Sequence, residues 1–167
     1  MAEMRIQNLV LGMVATNCYF LLNADTKEMI LVDPADEAEA IEEKVNAMGG
    51  RPVAVLLTHG HYDHMLAADS VRRTYQIPVY VHELDEAVLE DASLNLSGFW
   101  SSSFTMKADR LLKDGDELRL AGFEIRVLHT PGHTVGRDVY KRQGESFAGR
   151  YGRHNLQAAA ACFPVQQ

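Results

Sequence analysis

Three histidines and an aspartate lie within six residues of one another, directly after a run of apolar side chains. The run (VAVLL, residues 53–57) predicts a strand buried on both faces, and it leads through Thr58 into the segment HGHYDH at residues 59–64. A loop at a strand end is held in place by the strand, so several of its side chains can converge on one point. A polar loop that is rich in histidine by chance is the alternative, but the density of the cluster favours a functional site.

The residue types in this cluster are those that bind divalent metal ions. Neutral imidazole and carboxylate are preferred ligands of Zn²⁺ and related ions. The segment offers more ligands than one mononuclear site easily uses, which suggests two adjacent metals with a bridging water as the nucleophile. A second loop, HTPGH at residues 129–133, contains a Pro-Gly turn that could direct His133 back towards the cluster. By itself this loop leaves the role of His133 open, and its occurrence together with the first motif favours a ligand.

The rest of the chain alternates strand and helix signals. Apolar side chains at helical spacing between Ala38 and Met48 predict a first helix, for which Asp36 and Glu39 have the spacing of a capping box. Further helices are expected at about residues 68–76 and 84–90. Strands are expected at residues 4–13, 18–22, 28–32 and 77–81, and a hairpin at residues 117–120 and 123–128.

Composition excludes several classes of protein. A chain of 167 residues has the size of one domain with its own core. With 16 basic and 23 acidic residues its formal net charge is −7, so no basic stripe is available for a nucleic-acid backbone. Cys18 and Cys162 are its two cysteines, which form neither a disulfide framework nor a cysteine-based metal site. The apolar stretch at residues 9–15 is too short to span a bilayer. We therefore expect a cytoplasmic protein with a small-molecule substrate and no nucleic-acid or membrane partner.

The motifs THGHYDH and HTPGHT together resemble those of the metallo-β-lactamase-fold hydrolase superfamily, and in particular of its small glyoxalase II-like (hydroxyacylglutathione hydrolase-like) members. The segments TNCY at residues 16–19 and VDP at residues 32–34 are similar to the same family, and the resemblance covers about residues 4–137. It implies an α+β fold, a four-layer αββα sandwich with the metals at one edge.

The resemblance also implies the roles of individual residues. Asp63 would act in catalysis as a proton shuttle to the leaving group, and Asp33 would order the metal loop from outside the ligand set. His82 and His129 are not ligands in the family pattern. The implied ligands are His59, His61 and His133 for one metal, and Asp63 and His64 for a second.

The function implied is hydrolysis by a metal-bound hydroxide, with a thiolester such as an acyl-glutathione as the substrate. The cofactor would be Zn²⁺, one or two ions, and Fe or Mn is also possible. Two other functions stay open: a metal-binding domain without catalysis, and an enzyme similar to the persulfide dioxygenases, which use one iron.

The chain departs from the family pattern after His133. The family has a Gly-Asp pair about twenty residues later, whose aspartate bridges both metals, and a further histidine for the second metal. Here Asp138 lies too close, and Glu145 is the carboxylate nearest the expected position, a possible weak substitute ligand. We therefore expect a domain at residues 1–137, an aberrant and poorly packed tail at residues 138–167, and a sandwich whose second half is incomplete.

The segment DVYKRQ at residues 138–143 suggests a cause for this departure. Under the standard genetic code it can be written GATGTGTATAAGAGACAG, which looks like the transposon mosaic end that is used to attach sequencing adapters. Our hypothesis is that adapter sequence was translated into the chain at this point.

Overall fold

A computed structural model describes residues 3–100, 102–136, 138–142 and 145–148, with the backbone alone at 138, 139, 141, 142 and 145–148. The first part of the chain forms a six-stranded mixed sheet in the order β1 to β6. The strands β1 to β3 pair antiparallel, whereas β3 to β6 run parallel. Their bounds are β1 Met4–Leu11, β2 Thr16–Asn23, β3 Glu28–Val32, β4 Arg51–Leu56, β5 Val79–His82 and β6 Arg110–Leu112.

Alternate side chains of each strand point to opposite faces of this sheet. Helices cover one of the two faces. On the helix side, Phe20, Leu31 and Val55 pack in one core cluster with Ile41 and Val71. The second core cluster lies on the other face of the sheet. The helices are α1 Ala38–Met48, α2 Tyr62–Met65, α3 Ala68–Tyr75 and α4 Glu86–Glu90, with short 3₁₀ turns at Glu83–Asp85 and Ser97–Phe99.

A second, four-stranded antiparallel sheet covers the other face, in the order β10-β9-β8-β7. Its inward side chains, such as Phe123 and Val127, pack against Ile30 and Leu56 of the first sheet. These elements form an α+β fold with three layers of the predicted αββα sandwich; on the outer face Glu124 is exposed, and no described helix covers it. The strands are β7 Glu117–Leu120, β8 Phe123–His129, β9 Asp138–Arg142 and β10 Glu145–Ala148.

The predicted elements form close to the expected places, with differences at β6, at the start of α1 and at α2, a short helix that was not predicted. The three-residue strand β6 was not predicted, because it is too short to show an alternating pattern. The predicted capping box at Asp36 and Glu39 is wrong. The residue before α1 is Glu37, in a left-handed conformation with φ of 52° and without a side-chain cap. Its carboxylate instead accepts a hydrogen bond from the backbone N–H of Gly12 at 3.0 Å.

The start of the expected tail packs as a strand. The backbone of β9 pairs with β8, with Tyr140 opposite Val127. The Tyr140 side chain is fully buried between the sheets, and its hydroxyl donates a hydrogen bond to the Leu57 carbonyl at 2.6 Å. The expectation of poor packing is therefore wrong for this strand, since its backbone pairs with β8 and Tyr140 is buried. Residues 149–167 lie outside the described residues, and the domain limit at residue 137 stays a prediction.

No helix in the part of the chain that the structure describes is long and apolar enough to cross a membrane.

Candidate metal centre

The predicted metal-binding side chains meet at one edge of the first sheet. The carboxyl ends of β3, β4 and β5 lie side by side there because these strands run parallel. Asp33 directly follows β3, and the loop after β4 carries His59 and His61. The loop after β8 brings His133 to the same edge from the second sheet. The ends of β4 and β8 thus bring one histidine loop from each sheet into contact.

Three histidines, His59, His61 and His133, converge so that one nitrogen of each lies within 4.8 Å of the others. The Nδ1 atom of His61 lies 3.0 Å from Nε2 of His133. Two nitrogens on one tetrahedral Zn²⁺ lie about 3.3 Å apart. The two rings therefore need to move apart only slightly to bind an ion. His133 is exposed whereas the other two are buried, so the cluster opens to solvent on the side of His133.

A chain of hydrogen bonds sets the tautomer of His59. The Thr58 hydroxyl donates its one hydrogen to Asp33 Oδ2 at 2.7 Å, and it lies 3.0 Å from His59 Nδ1. The hydroxyl must therefore accept from His59, which places a proton on Nδ1, so that the lone pair of the neutral ring lies on Nε2. A neutral imidazole whose other ring nitrogen donates a hydrogen bond to an outer oxygen atom is the usual form of a metal-binding histidine.

Asp33 also contacts His64, one of the two residues predicted to bind a second metal. It is buried, adopts a left-handed φ of 50°, and accepts a hydrogen bond from His64 Nδ1 at 2.8 Å. The other nitrogen of His64, Nε2, lies 3.4 Å from Asp63 Oδ2. The hydrogen bond to Asp33 thus orients the ring so that Nε2 faces Asp63, and the role of Asp33 in ordering the metal loop stays a prediction.

The Asp63 carboxylate supports the fit of a cation. Its Oδ2 accepts a hydrogen bond from the Thr16 hydroxyl at 2.8 Å. Its Oδ1 is buried and accepts no hydrogen bond from the described residues. A buried carboxylate oxygen is costly to leave without a partner, and three neighbouring imidazoles with one carboxylate are a donor set suited to a divalent cation. The residues present therefore fit such an ion.

Two pKa shifts agree with this arrangement. Burial, followed by the adjacent His133, lowers the pKa of His61, which favours the neutral ring that a metal requires. Burial, followed by the charge of Asp33, raises the pKa of the Cys18 thiol well above its ordinary value. Cys18 is therefore protonated within the core and unsuited to act as a nucleophile.

One functional carboxylate, Asp85, was missed by the sequence analysis. It is fully buried after β5, and its Oδ2 accepts hydrogen bonds from Gly60 N at 2.8 Å and from the Thr134 hydroxyl at 2.9 Å. Its Oδ1 accepts from Gly136 N at 2.8 Å. Asp85 thus joins the two loops that carry the three converging histidines. Little in the sequence indicates this role, because aspartates before short helices are common.

The remaining predicted residues lie outside the cluster. His82 and His129 stack on one another with ring centroids 4.4 Å apart, and His129 Nε2 donates a hydrogen bond to Val135 O, as expected for histidines with partners of their own. The backbone of Glu145 pairs with Arg142, at the end of β9 opposite to Asp138, which pairs with His129. This register places Glu145 away from the His133 loop and does not favour it as a substitute ligand.

Comparison with known proteins agrees with this site. The probable metallo-hydrolase YqgX of Bacillus subtilis is 38% identical over 139 residues, 82% of this chain and 65% of YqgX. This chain thus spans less than two thirds of the length of that relative. The B3 metallo-beta-lactamase BLEG-1 superposes with a TM-score of 0.81 at 38% identity, covering 86% of this chain and 71% of BLEG-1. TTHA1623 in its di-iron-bound form superposes with a TM-score of 0.72 at 29% identity, covering 92% and 79%.

The family pattern that matches covers residues 11–149 and is described as the Metallo-beta-lactamase superfamily. The match includes both histidine loops and most of the two sheets. The chain therefore belongs to the metallo-beta-lactamase superfamily.

Proposed function

We propose that the chain is the catalytic part of a metal-dependent hydrolase that acts on a small-molecule thiolester, such as an acyl-glutathione. The observation that carries this proposal is the convergence of His59, His61 and His133 beside the buried carboxylate of Asp63. Hydrolysis by such a site needs no serine or cysteine nucleophile, and the described cysteine is buried in the core.

The protein's own residues would hold, orient and transfer protons. His59, His61 and His133 would hold a first ion, and Asp63 and His64 would contribute to a second. A divalent cation supplies a water of lowered pKa and a Lewis acid for the substrate carbonyl. Water then adds to the acyl carbon, the C–S bond breaks, and a carboxylic acid and a thiol leave. Asp63 would carry the proton from the water to the departing sulfur.

Thiolesters suit this site because a thiolate leaves readily and needs little acid assistance. Zn²⁺ is the cofactor we propose, since three imidazoles leave one tetrahedral position open for water. The di-iron form of the similar protein TTHA1623 makes Fe the first alternative to test, followed by Mn.

The test uses the purified full chain, loaded in turn with Zn²⁺, Fe²⁺ and Mn²⁺. We expect the release of thiol from an S-acyl-glutathione, with loss of bound metal and of hydrolysis in His59→Ala and His61→Ala. The matched control is His82→Asn, in which the side-chain oxygen can still accept the hydrogen bond from Leu84 N. Unchanged metal content in the double variant His59→Ala/His61→Ala would contradict the proposal.

The similarity to BLEG-1 favours one second candidate, the hydrolysis of a β-lactam ring. A chromogenic cephalosporin in the same assay tests it. Two further outcomes would replace the proposal. Tight metal binding with no hydrolysis of either substrate would indicate a metal-binding domain without catalysis. Oxygen uptake with glutathione persulfide by the iron-loaded chain would indicate an enzyme similar to the persulfide dioxygenases.

A further inference from the structure

Thr16 contacts the metal centre from the first hairpin of the fold. It is the first residue of β2, where it pairs with Leu11 at the base of the turn between β1 and β2. Thr16 is buried, and its hydroxyl donates a hydrogen bond to Asp63 Oδ2 at 2.8 Å. The two residues are 47 positions apart in the sequence. This hydrogen bond therefore connects the first hairpin with the helix that carries Asp63.

The two oxygens of the Asp63 carboxylate have different surroundings. Oδ2 accepts the hydrogen bond from Thr16 and lies 3.4 Å from His64 Nε2. Oδ1 is buried and accepts no hydrogen bond from the described residues. A carboxylate is planar, so a hydrogen bond that fixes Oδ2 also fixes the direction of Oδ1. Because the Thr16 hydroxyl uses one lone pair of Oδ2, the other lone pairs of the carboxylate stay available to a cation.

Asp33 provides a comparison within the same site. Its Oδ1 accepts a hydrogen bond from Thr58 N at 2.8 Å, and its Oδ2 accepts from the Thr58 hydroxyl at 2.7 Å and from His64 Nδ1 at 2.8 Å. Protein donors thus occupy both oxygens of Asp33, whereas Asp63 accepts a single hydrogen bond from the described side chains. The Asp63 carboxylate is therefore held in place and still has the capacity to bind an ion.

Threonine is well suited to this position. Its β-branched side chain restricts rotation about the Cα–Cβ bond, and the pairing of Thr16 with Leu11 fixes its backbone within the hairpin. The hydroxyl is therefore directed at Asp63 before any cation binds, and a preorganised group of this kind lowers the cost of binding. Without the hydroxyl, the carboxylate would lose the hydrogen bond that limits its rotation.

We infer that Thr16 is a positioning residue of the metal centre, which holds the Asp63 carboxylate in the orientation in which Asp63 and His64 bind a second cation. The inference rests on the metal centre of the proposed hydrolase. Thr16 acts through Asp63 and is not itself a ligand. The first cation, at the three converging histidines, does not depend on it.

The test measures two binding steps of Co²⁺ separately, without using hydrolysis. The metal-free full chain is titrated with Co²⁺, and the visible absorption spectrum follows a first, tight step at the histidines and a second, weaker step at Asp63 and His64. Thr16→Val replaces the hydroxyl with a methyl group of similar size, and valine is favoured in strands. We expect this variant to weaken the second step by about tenfold to a hundredfold and to leave the first step unchanged.

Two matched variants separate the effect of the hydroxyl from effects on the fold. Thr16→Ser keeps the hydroxyl and should bind the second Co²⁺ like the wild type. Thr74→Val makes the same change on α3, at an exposed threonine whose hydroxyl donates to Glu42 at 3.0 Å, and should bind both ions like the wild type. The first step also reports on folding, because the three histidines that form it come from loops of both sheets.

Each outcome decides for or against the inference. It is overturned if the wild type shows no second step, if Thr16→Val binds the second ion as tightly as Thr74→Val does, or if Thr16→Ser binds it as weakly as Thr16→Val. Loss of both steps in Thr16→Val also overturns it, since Thr16 would then support the fold as a whole.

The same measurements separate this inference from the proposed function. If the Co²⁺ titrations give the expected result but the metal-loaded chain does not hydrolyse S-acyl-glutathione, the role of Thr16 stands and the hydrolase function fails. If the loaded chain hydrolyses the thiolester while Thr16→Val binds the second ion normally, the hydrolase function stands and the role of Thr16 is overturned.

Discussion

At the scale of single residues, Asp85 forms hydrogen bonds with both histidine loops. Its carboxylate accepts hydrogen bonds from Gly60 on one side and from Thr134 and Gly136 on the other. A side chain at Gly136 is excluded by the same contact, because a Cβ there would lie 2.6 Å from Asp85 N. The loops are therefore packed directly against this carboxylate, which touches none of the three converging histidines in the described hydrogen bonds.

We expect Asp85→Asn to weaken Zn²⁺ binding by between about tenfold and a hundredfold, the usual effect of losing a group that supports metal ligands from behind. The asparagine side chain has an NH₂ group in place of one of the two accepting oxygens of the aspartate. At least one of the hydrogen bonds to the two loops is therefore lost. Competition with a chromophoric chelator measures the affinity, and the visible spectrum of the Co²⁺-loaded chain reports the ligand geometry. Glu124→Gln, on the exposed face of β8, is the control. Unaltered affinity and spectrum in Asp85→Asn would show that the loops hold their places without it.

At the scale of secondary-structure elements, β9 pairs with β8 through its backbone and contacts the first sheet through Tyr140. Tyr140 is fully buried between the sheets, and its hydroxyl bonds to the carbonyl of Leu57, next to the loop that carries His59. The docking of β9 and the end of β4 are thus coupled through this residue.

We expect Tyr140→Phe to lower the free energy of unfolding by about 1–3 kcal/mol, because the Leu57 carbonyl stays buried without its donor. Tyr140→Ala should cost about 3–5 kcal/mol, since it also leaves a cavity between the sheets. Urea denaturation of the full chain measures both values. Tyr80→Phe on β5, where the ring is half-buried, provides the comparison. Equal stability of Tyr140→Ala and the wild type would mean that β9 does not dock.

At the scale of the whole molecule, the described residues supply unequal ligand sets for two ions. Three histidines converge for the first, whereas Asp63 and His64 are the described candidates for the second. We therefore predict close to one tightly bound metal ion per chain after gel filtration, measured by elemental analysis, together with weak hydrolysis. Two retained equivalents would contradict this prediction and would require a bridging carboxylate from the remainder of the chain.

The origin of residues 138–143 is a second prediction for the whole molecule. We expect the coding DNA to read GATGTGTATAAGAGACAG across this segment if adapter sequence was translated there. Different codons would refute the hypothesis. The pairing of β9 with β8 does not decide the question, because backbone hydrogen bonds form between strands whatever the origin of the codons that encode them.

The sequence by itself determined the features that depend on neighbours along the chain. The apolar run before His59 predicts a buried strand, and the histidine spacing predicts a metal loop, because both patterns are local. The hairpin of β7 and β8 was predicted for the same reason, from alternating side chains and the turn between them.

Only the tertiary structure decided the contacts between segments that are distant in sequence. Asp85 lies 25 residues from Gly60 and 51 from Gly136, so its role exists only once β5 ends beside both loops. The Glu37 carboxylate likewise accepts a hydrogen bond from Gly12 N, 25 residues away, and makes no cap on α1. Hydrogen bonds of this kind leave no periodic trace in a sequence, since their geometry is set by how the two sheets pack.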